Sequence, residues 1–232
     1  MIGQGYNSYT MLQIAQATST LANNGLKMKP HLVREVLDVE TKASTPVAKE
    51  PVEQLPLLPE NIEVIKKGMI GVNLEGTSAS SFVGAPYTSA GKTGTAQVYT
   101  VKQNEKYNAS AIDERMRDHA LFIAFAPAED PKVALAMVVE NAGFGAQNAA
   151  PIARRVFDYV ISGQYPSEED IDAVQKGQAT RPIGKPRTLA QVPWPPKSTR
   201  NTEELEVALP SASAAKPAAS APAPAASAAV KR

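Results

Sequence analysis

The segment with the clearest chemistry is TSAGKTGTAQV, residues 88–98, which carries Lys92, Thr93 and Gly94 in succession. On an exposed strand, Lys92 would offer a positive charge and Thr93 a hydroxyl donor to a peptide carboxylate. Because side chains alternate between the faces of a strand, both can serve one ligand only if it lies along the strand edge. Gly94 would let another backbone approach and pair, and the amide of Thr95 would then face a bound carbonyl as an oxyanion donor.

Gly91, Lys92 and Thr93 also match the end of a phosphate-binding loop, G-x-x-x-x-G-K-[ST]. Such a loop needs successive backbone amides that curl around phosphates and open a helix. Its first position here is Pro86, which has no amide hydrogen, and GTAQVYTV after Thr93 is a poor helix start. These residues therefore favour the carboxylate over the nucleotide, and a glycine-kinked strand without a ligand remains the alternative.

A second glycine pair, Gly143 and Gly145, follows an apolar run as in a dinucleotide-binding loop. Asn148 stands where that loop needs its third glycine. We interpret the segment as a glycine loop with Asn148 as a possible helix cap. Phe144, between the glycines, would either line the edge of a cleft or cover the helix start.

The overall composition argues against several functions. The 232 residues include 24 Lys and Arg and 23 Asp and Glu, and the net charge of +1 gives no reason to expect nucleic acid as a partner. The absence of Cys excludes disulfides and thiolate metal sites. His31 and His119 are distant, and the adjacent Asp113 and Glu114 point apart, so we expect no metal and no cofactor. The apolar runs are too short to cross a bilayer, and the first ten residues show no signal peptide.

Hydrophobic spacing predicts the elements that would position this site. We expect helices over residues 10–24, 58–72 and 148–162, the last with Ile152, Val156, Tyr159 and Val160 on one side. We expect strands over 31–39, 87–101, 120–127 and 132–141, the last two as an antiparallel pair, and loops over 41–56, 76–86 and 102–118. This order predicts an α/β fold of the α+β type, with a mixed, largely antiparallel sheet and helices packed on it.

The composition changes after Pro166. PRTLAQVPWPPKS is rich in proline, and residues 211–230 are nearly all Ala, Ser and Pro. Such a sequence cannot bury enough apolar surface to offset its ordering entropy. We therefore predict a domain over residues 1–165 and a disordered tail over 166–232, in which Trp194 belongs to a linker rather than to a ligand for another domain.

Four segments resemble, in order, the C-terminal part of the transpeptidase domain of class B penicillin-binding proteins of the elongation type. They are IGQGYNSYTMLQIAQATSTLANNGLKMKPHLV, AGKTGTAQV, ERMRDHALFIAFAP and VENAGFGAQNAAPIARRVFDYV, and the resemblance covers residues 2–165. It implies an incomplete serine β-lactamase and D,D-peptidase-like fold, and a peptidoglycan D,D-transpeptidase that forms a serine acyl-enzyme.

The same resemblance assigns catalytic roles to Lys92 and Thr95 and substrate binding to Thr93 and Gly94. It implies peptidoglycan stem peptides and β-lactams as ligands and the cell-elongation machinery as a protein partner. It also implies a location at the periplasmic face of the bacterial inner membrane.

The chain departs from the family in its nucleophile. The family needs S-x-x-K at the start of a helix and a second motif, S-x-N. Residues 89–92 and 213–216 match S-x-x-K, but neither is expected to begin a helix, and S-x-N is absent from the 232 residues. We therefore expect a transpeptidase fragment that supplies the K-T-G strand and the oxyanion amide. The alternatives are a non-catalytic peptide-binding module and a non-functional remnant of a split gene.

Overall fold

The computed structural model describes residues 8–98, 108, 112–178 and 180–192. The chain separates into two units, residues 1–192 and 193–232, and the second lies wholly outside the described residues. The helices are α1 (Met11–Ala22), α2 (Pro59–Leu74), α3 (Ala79–Phe82), α4 (Gly145–Asn148), α5 (Ala150–Ser162) and α6 (Glu168–Gln175). The strands are β1 (Leu26–Met28), β2 (Glu35–Leu37), β3 (Ser44–Pro46), β4 (Pro51–Gln54), β5 (Ala90–Ala96), β6 (His119–Ala126), β7 (Val133–Val139), β8 (Gln164–Tyr165) and β9 (Arg187–Thr188).

The sheet that carries the K-T-G segment contains β5, β6 and β7 in that order, with both pairs antiparallel. Thr93 lies opposite Phe122, and Phe122 lies opposite Met137. Directly opposed residues share a face, so this register gives the sheet one face with Phe122 and another with Phe125. The antiparallel strand pair and the predicted fold class, an antiparallel sheet with helices packed on it, are confirmed.

The Phe122 face is covered by α3, α4 and α5. Its centre is aromatic, with the ring centroids of Phe82 and Phe122 5.9 Å apart and those of Phe82 and Phe157 6.5 Å apart. Ala149 and Ala153 are fully buried in the same cluster. Their small side chains let the backbone of α5 come close to the sheet, which keeps the layer well packed.

Helix α5 packs through a side that the hydrophobic spacing did not indicate. Val156, Tyr159 and Val160 are exposed, whereas Arg154 and Asp158 are buried. Arg154 Nε donates to Asp158 Oδ1 at 2.8 Å, and a buried charge is tolerated when it is paired in this way. The predicted helix is present, but its apolar stripe is not the side that packs, and a hydrophobic pattern could not show this because it treats both charged residues as surface residues.

The Phe125 face packs against α1 and α2, and both of these predicted helices are confirmed. Helix α1 begins with a capping box in which the side chains of Thr10 and Gln13 each bond the other residue's backbone amide. Its carboxyl end is held by Lys66 of α2, which is buried and donates to Ala22 O at 3.0 Å and to Asn24 Oδ1 at 2.6 Å. These bonds satisfy acceptors at the end of α1 and join the two helices.

Residues 41–56, predicted as a loop, contain two strands. β3 pairs with β2 and β4 pairs with β1, each in an antiparallel two-stranded sheet. Pro46 and Pro51 lie in these strands because, in a pair of only two strands, a proline can face the unpaired edge. The strand predicted over 31–39 is shorter in the structure, where β2 covers Glu35–Leu37.

Residues 76–86 were also predicted to be a loop, but they contain α3. Phe82 joins the aromatic cluster, and Ser78 and Ser81 are fully buried. The run of small residues predicted flexibility, but in the structure α3 packs closely against α2 and α5. The predicted loop over 102–118 falls partly outside the described residues, and residues 114–116 form a single 3₁₀ turn.

The segment after Tyr165 contains α6 and β9 in the structure. Asp170, fully buried, accepts from Arg155 Nε at 2.8 Å and from Arg155 Nη2 at 2.5 Å. The amide of Ile183 also donates to Asp170 Oδ1 at 3.0 Å. Residues 168–183 are thus attached to α5, although the disordered tail was predicted to begin at residue 166; the part of that prediction over residues 193–232 lies outside the described residues.

Candidate active site

Lys92 and Thr93 lie on opposite faces of β5, as neighbours on a strand must. Lys92 opposes Ile123 on the face of α1 and α2, and Thr93 opposes Phe122 on the other face. The Lys92 side chain is exposed, and its Nζ donates to Thr93 O at 2.7 Å. The ammonium group therefore curls from its own face to the edge of the strand, where it is near the backbone of Thr93.

The backbone of β5 presents further polar groups at this edge. Within the described residues, β5 pairs with β6 alone, so its other edge has no strand partner. Alternate residues of an antiparallel strand point their N–H and C=O groups to the same side. Since Thr93 O accepts from a side chain, Thr93 and Thr95 direct these groups to the free edge. An ammonium group, a hydroxyl and an amide thus lie along one edge within a short stretch of strand.

Thr77 adds a hydroxyl that the sequence did not indicate. Its Oγ1 lies 3.0 Å from Thr93 Oγ1, within hydrogen-bond distance. The turn that carries Thr77 follows α2 directly and is fixed on both sides. The amide of Gly76 donates to Gly71 O at 2.9 Å, and Ser78 Oγ donates to Asn73 Oδ1 at 2.6 Å. The only sequence signal was a short polar run after a helix, which is typical of many loops.

The backbone that approaches Gly94 is that of Gly145, at the start of α4. A Cβ added to Gly145 would overlap Leu121 O and would lie 2.5 Å from Gly94 O. Only glycine fits here, so α4 rests directly on the ladder between β5 and β6. The position of the 141–145 loop is therefore fixed relative to the K-T-G strand.

A cavity of about 480 Å³ opens beside Thr95. Glu114, Asn141 and Phe144 are among the residues that line it, and Phe144 is 63% exposed. Of the two interpretations of Phe144, the structure therefore supports the one in which its ring borders a cleft. The cavity adjoins the end of β5 that carries the Thr95 amide, so a ligand along this edge would reach it.

Asn141 fixes the wall of this cavity. Its Nδ2 donates to Arg115 O at 2.9 Å and to Arg117 O at 3.0 Å, and its own amide donates to His119 Nδ1 at 2.8 Å. His119 thus serves as an acceptor that orders the loop. Asp113 and Glu114 are exposed at the 3₁₀ turn.

The prediction that Asn148 caps a helix start is wrong. Asn148 is the last residue of α4, and its Nδ2 donates to Ala142 O at 2.5 Å. Helix α4 begins three residues before Asn148, at Gly145, and α5 begins after it, with Ala149 as its N-cap and no side-chain capping bond. Asn148 therefore ties the end of α4 back to Ala142 in the loop that precedes the helix.

Ser89, the first residue of one S-x-x-K match, is buried and accepts from Asn73 Nδ2 at 2.9 Å. It directly precedes β5 and does not begin a helix. The second match, at residues 213–216, lies outside the described residues, as does Trp194. Within the described part of the chain, no group of three or more His, Cys, Asp or Glu side chains could hold a metal ion, and no helix is both long and apolar enough to span a membrane.

Comparison with known proteins gives consistent matches. The family "Penicillin binding protein transpeptidase domain" matches residues 1–158. Peptidoglycan D,D-transpeptidase MrdA of Haemophilus influenzae is 43% identical over 178 residues, which cover 72% of this chain and 26% of that protein. The matched region thus spans about a quarter of the length of this curated relative.

Two solved structures support the same relationship. PBP2 of Pseudomonas aeruginosa in complex with WCK 5153 matches with a TM-score of 0.53 and 36% identity, over 69% of this chain and 32% of that one. Penicillin-binding protein A of Mycobacterium tuberculosis, as its imipenem acyl-enzyme, matches with a TM-score of 0.53 and 29% identity, over 69% and 32% of the two chains. The family match covers more than half of the chain, and the relatives agree with it. The chain belongs to the penicillin-binding protein transpeptidase domain family.

Proposed function

We propose that this chain forms the K-T-G side of a peptidoglycan D,D-transpeptidase, which cross-links stem peptides through a serine acyl-enzyme in the complete protein. The observation that supports this most is the free edge of β5, where Lys92 Nζ bonds Thr93 O and the hydroxyls of Thr77 and Thr93 meet. A stem peptide or a β-lactam would lie along this edge. Its carboxylate would face Lys92 and Thr93.

In this proposal the Thr95 amide stabilises the oxyanion of the tetrahedral intermediate. Loss of one such donor typically removes about 3 kcal/mol of transition-state stabilisation. Gly94 keeps the edge clear of a side chain, so the bound peptide can pair with the strand. The nucleophilic serine and its activating lysine would belong to an S-x-x-K motif, and the described part of the chain places no such motif at a helix start.

The names of the relatives support a cell-wall setting for this function. MrdA of Haemophilus influenzae carries the name of a peptidoglycan enzyme, and the Mycobacterium tuberculosis neighbour is an imipenem acyl-enzyme. The complete protein would act at the periplasmic face of the inner membrane, with the cell-elongation machinery as its partner. The transpeptidase part of the chain would end near residue 165, because all the residues proposed for the site precede it.

A fusion tests this function. Residues 1–165 replace the matched part of the Haemophilus relative, and the fusion and the 232-residue chain are incubated with a fluorescent penicillin and run on a denaturing gel. The fusion should carry a covalent label, because it joins the K-T-G edge to an S-x-x-K serine, and the chain alone should not. A label on the chain alone would place a nucleophile within these residues and contradict the proposal.

A non-catalytic peptide-binding module remains the second candidate, since β5 offers a free edge without needing a nucleophile. The same experiment separates the two. A folded fusion that stays unlabelled, while the unmodified relative is labelled, would favour the binding module. Calorimetry with a stem peptide would then detect the binding directly.

A further inference from the structure

Thr77 contributes a hydroxyl to the edge of β5 from outside the K-T-G motif. Its Oγ1 lies 3.0 Å from Thr93 Oγ1, and either atom can be the donor. No other hydrogen bond involves the Thr77 side chain within the described part of the chain. The turn that carries it is held by Gly76 and Ser78, whose bonds do not use the Thr77 hydroxyl.

The direction of this hydrogen bond decides what Thr93 can offer a ligand. Each hydroxyl has one hydrogen and two lone pairs, and only one hydrogen can lie between the two oxygens. If Thr93 donates to Thr77, its hydrogen is used within the protein. If Thr77 donates to Thr93, the hydrogen of Thr93 is free to point outward along the strand edge.

The neighbouring charge selects between these states. Lys92 Nζ lies at the same edge, 2.7 Å from Thr93 O, so an anion is the favoured ligand. A carboxylate only accepts hydrogen bonds, and it would therefore favour the state in which Thr93 donates outward. Thr77 then donates to Thr93, and each hydrogen bond in such a chain polarises the next.

We propose that Thr77 is a positioning residue, which orients the Thr93 hydroxyl as a donor to the carboxylate of a peptide bound along β5. This inference rests on the proposed function, because it assumes that the free edge of β5 binds a peptide carboxylate. It adds a residue sixteen positions before Thr93, held by the turn after α2.

The test compares two probes that differ only in the group at the carboxyl end, a carboxylate in one and a neutral amide in the other. N-acetyl-D-alanyl-D-alanine and its C-terminal carboxamide are titrated into the 15N-labelled 232-residue chain, and the amide shifts of Thr93 and Thr95 give each Kd. The ratio of the two Kd values measures the preference for the carboxylate. A change that only loosened the turn would weaken both probes and leave this ratio unchanged.

Four variants make the comparison specific. Thr77→Val keeps the shape of the side chain without the hydroxyl, and Thr77→Ala serves in case valine disturbs the turn. Both variants remove the hydrogen bond from Thr77 that orients the Thr93 hydroxyl. The preference for the carboxylate should therefore fall by about fivefold, which corresponds to the net contribution of one hydrogen bond. Thr77→Ser restores a hydroxyl and should keep the wild-type ratio. Ser80→Ala removes an exposed hydroxyl on α3 and is the matched control.

The outcomes separate the inference from the function on which it rests. If the wild type prefers the carboxylate and both Thr77→Val and Thr77→Ala keep that preference, Thr77 has no positioning role, although the site stands. If the wild type shows no preference and no shift at Thr93 or Thr95, the proposed function fails together with the inference. Loss of the preference in Thr77→Val with recovery in Thr77→Ser supports the inference.

Discussion

Lys92 is an exposed residue whose charge lies at the edge of a strand rather than in an enclosed pocket. In this position its ammonium group keeps most of its hydration until a ligand covers it. A peptide or β-lactam bound along β5 would remove that water and strengthen the attraction between Lys92 and a carboxylate. The contribution of Lys92 should therefore be visible in ligand reactions more than in the stability of the fold.

In the fusion described above, we expect Lys92→Ala to slow acylation by penicillin. Removing one partner of a charge pair that a ligand buries costs roughly 2 kcal/mol or more, which corresponds to a rate about 30-fold lower. The measurement is the second-order acylation rate constant. Lys67→Ala, which removes an exposed lysine of α2, should leave the rate unchanged. A Lys92→Ala rate within about twofold of the wild type would refute the assignment.

The residues at the free edge of β5 could be predicted only in part. Lys92, Thr93 and Thr95 follow from a local motif on a strand, where the alternation of side chains already limits the geometry. Thr77 could not be predicted, because its contact with Thr93 depends on the conformation of a turn that follows a separate helix. The contact of Gly145 with Gly94 likewise joins two distant segments, and nothing in GFGAQN indicates which glycine makes it.

Gly145→Ala should destabilise the fold. The added Cβ would overlap Leu121 O and press on Gly94 O, and backbone atoms in a ladder cannot move aside without breaking it. Overpacking of this kind costs about 1–3 kcal/mol in the free energy of unfolding, measured by urea denaturation. Gly68→Ala in α2 is the control, because nothing lies within 4 Å of an added Cβ there. The control should be neutral or slightly stabilising, and an equal loss in both variants would contradict the argument.

Helix α5 connects its surroundings through two successive arginines. Arg154 donates to Asp158 and to the carbonyls of Ser81 and Val83 near α3, at 3.3 and 3.1 Å for the carbonyls. Arg155 instead bonds Asp170 in α6. Neighbours on a helix point about 100° apart, so the two arginines attach α5 to different parts of the unit.

Asp170→Asn should release α6 from α5. The change leaves Arg155 largely buried without its charged partner, which costs about 3–5 kcal/mol. Native-state hydrogen exchange of the α6 amides measures the local opening free energy. Asp172→Asn on the same helix is the control, since its pair with Lys176 is solvent-exposed and should contribute under about 1 kcal/mol. Unchanged protection of α6 in Asp170→Asn would show that residues 168–183 are held by other contacts.

Among the elements, those with strong periodicity were predictable. Helices α1 and α2 and strands β6 and β7 lie where the spacing of apolar residues placed them. Helix α3 was not, because its buried serines carry no hydrophobic signal. The packing side of α5 was missed for a related reason, namely that a buried Arg154–Asp158 pair depends on a partner that hydrophobicity does not encode.

Within the described residues up to 192, two helical layers enclose the three-stranded antiparallel sheet of β5, β6 and β7. Tyr87, just before β5, connects the sheet to one of these layers. Its hydroxyl donates to Asp158 Oδ1 at 2.7 Å, and its ring meets that of Phe157 edge to face. Burial, followed by the hydrogen bond to Asp158, raises the pKa of Tyr87 well above its ordinary value.

The raised pKa of Tyr87 predicts an alkaline limit to stability. Above about pH 10 an unfolded tyrosine loses its proton while folded Tyr87 keeps it, so the free energy of unfolding falls as pH rises. Tyr87→Phe should remove this part of the decline. At neutral pH the same variant should lose about 1–2 kcal/mol, because Asp158 loses a donor. Tyr9→Phe, at a residue that is 63% exposed, should change neither the stability nor its alkaline decline.

Lys66 is buried and its neighbour Lys67 is not, so a reagent that modifies amines should label the two side chains at different rates. The Lys66 amine donates hydrogen bonds to Ala22 O and Asn24 Oδ1, whereas the Lys67 side chain is exposed to solvent. An amine-reactive ester should acylate Lys67 quickly and Lys66 only when α1 separates from α2. Because cleavage after glutamate releases residues 64–75 as one fragment that carries both lysines, tandem mass spectrometry would give their labelling ratio, which would follow the docking of α1. Equal labelling of the two lysines in the folded chain would show that α1 does not stay in place.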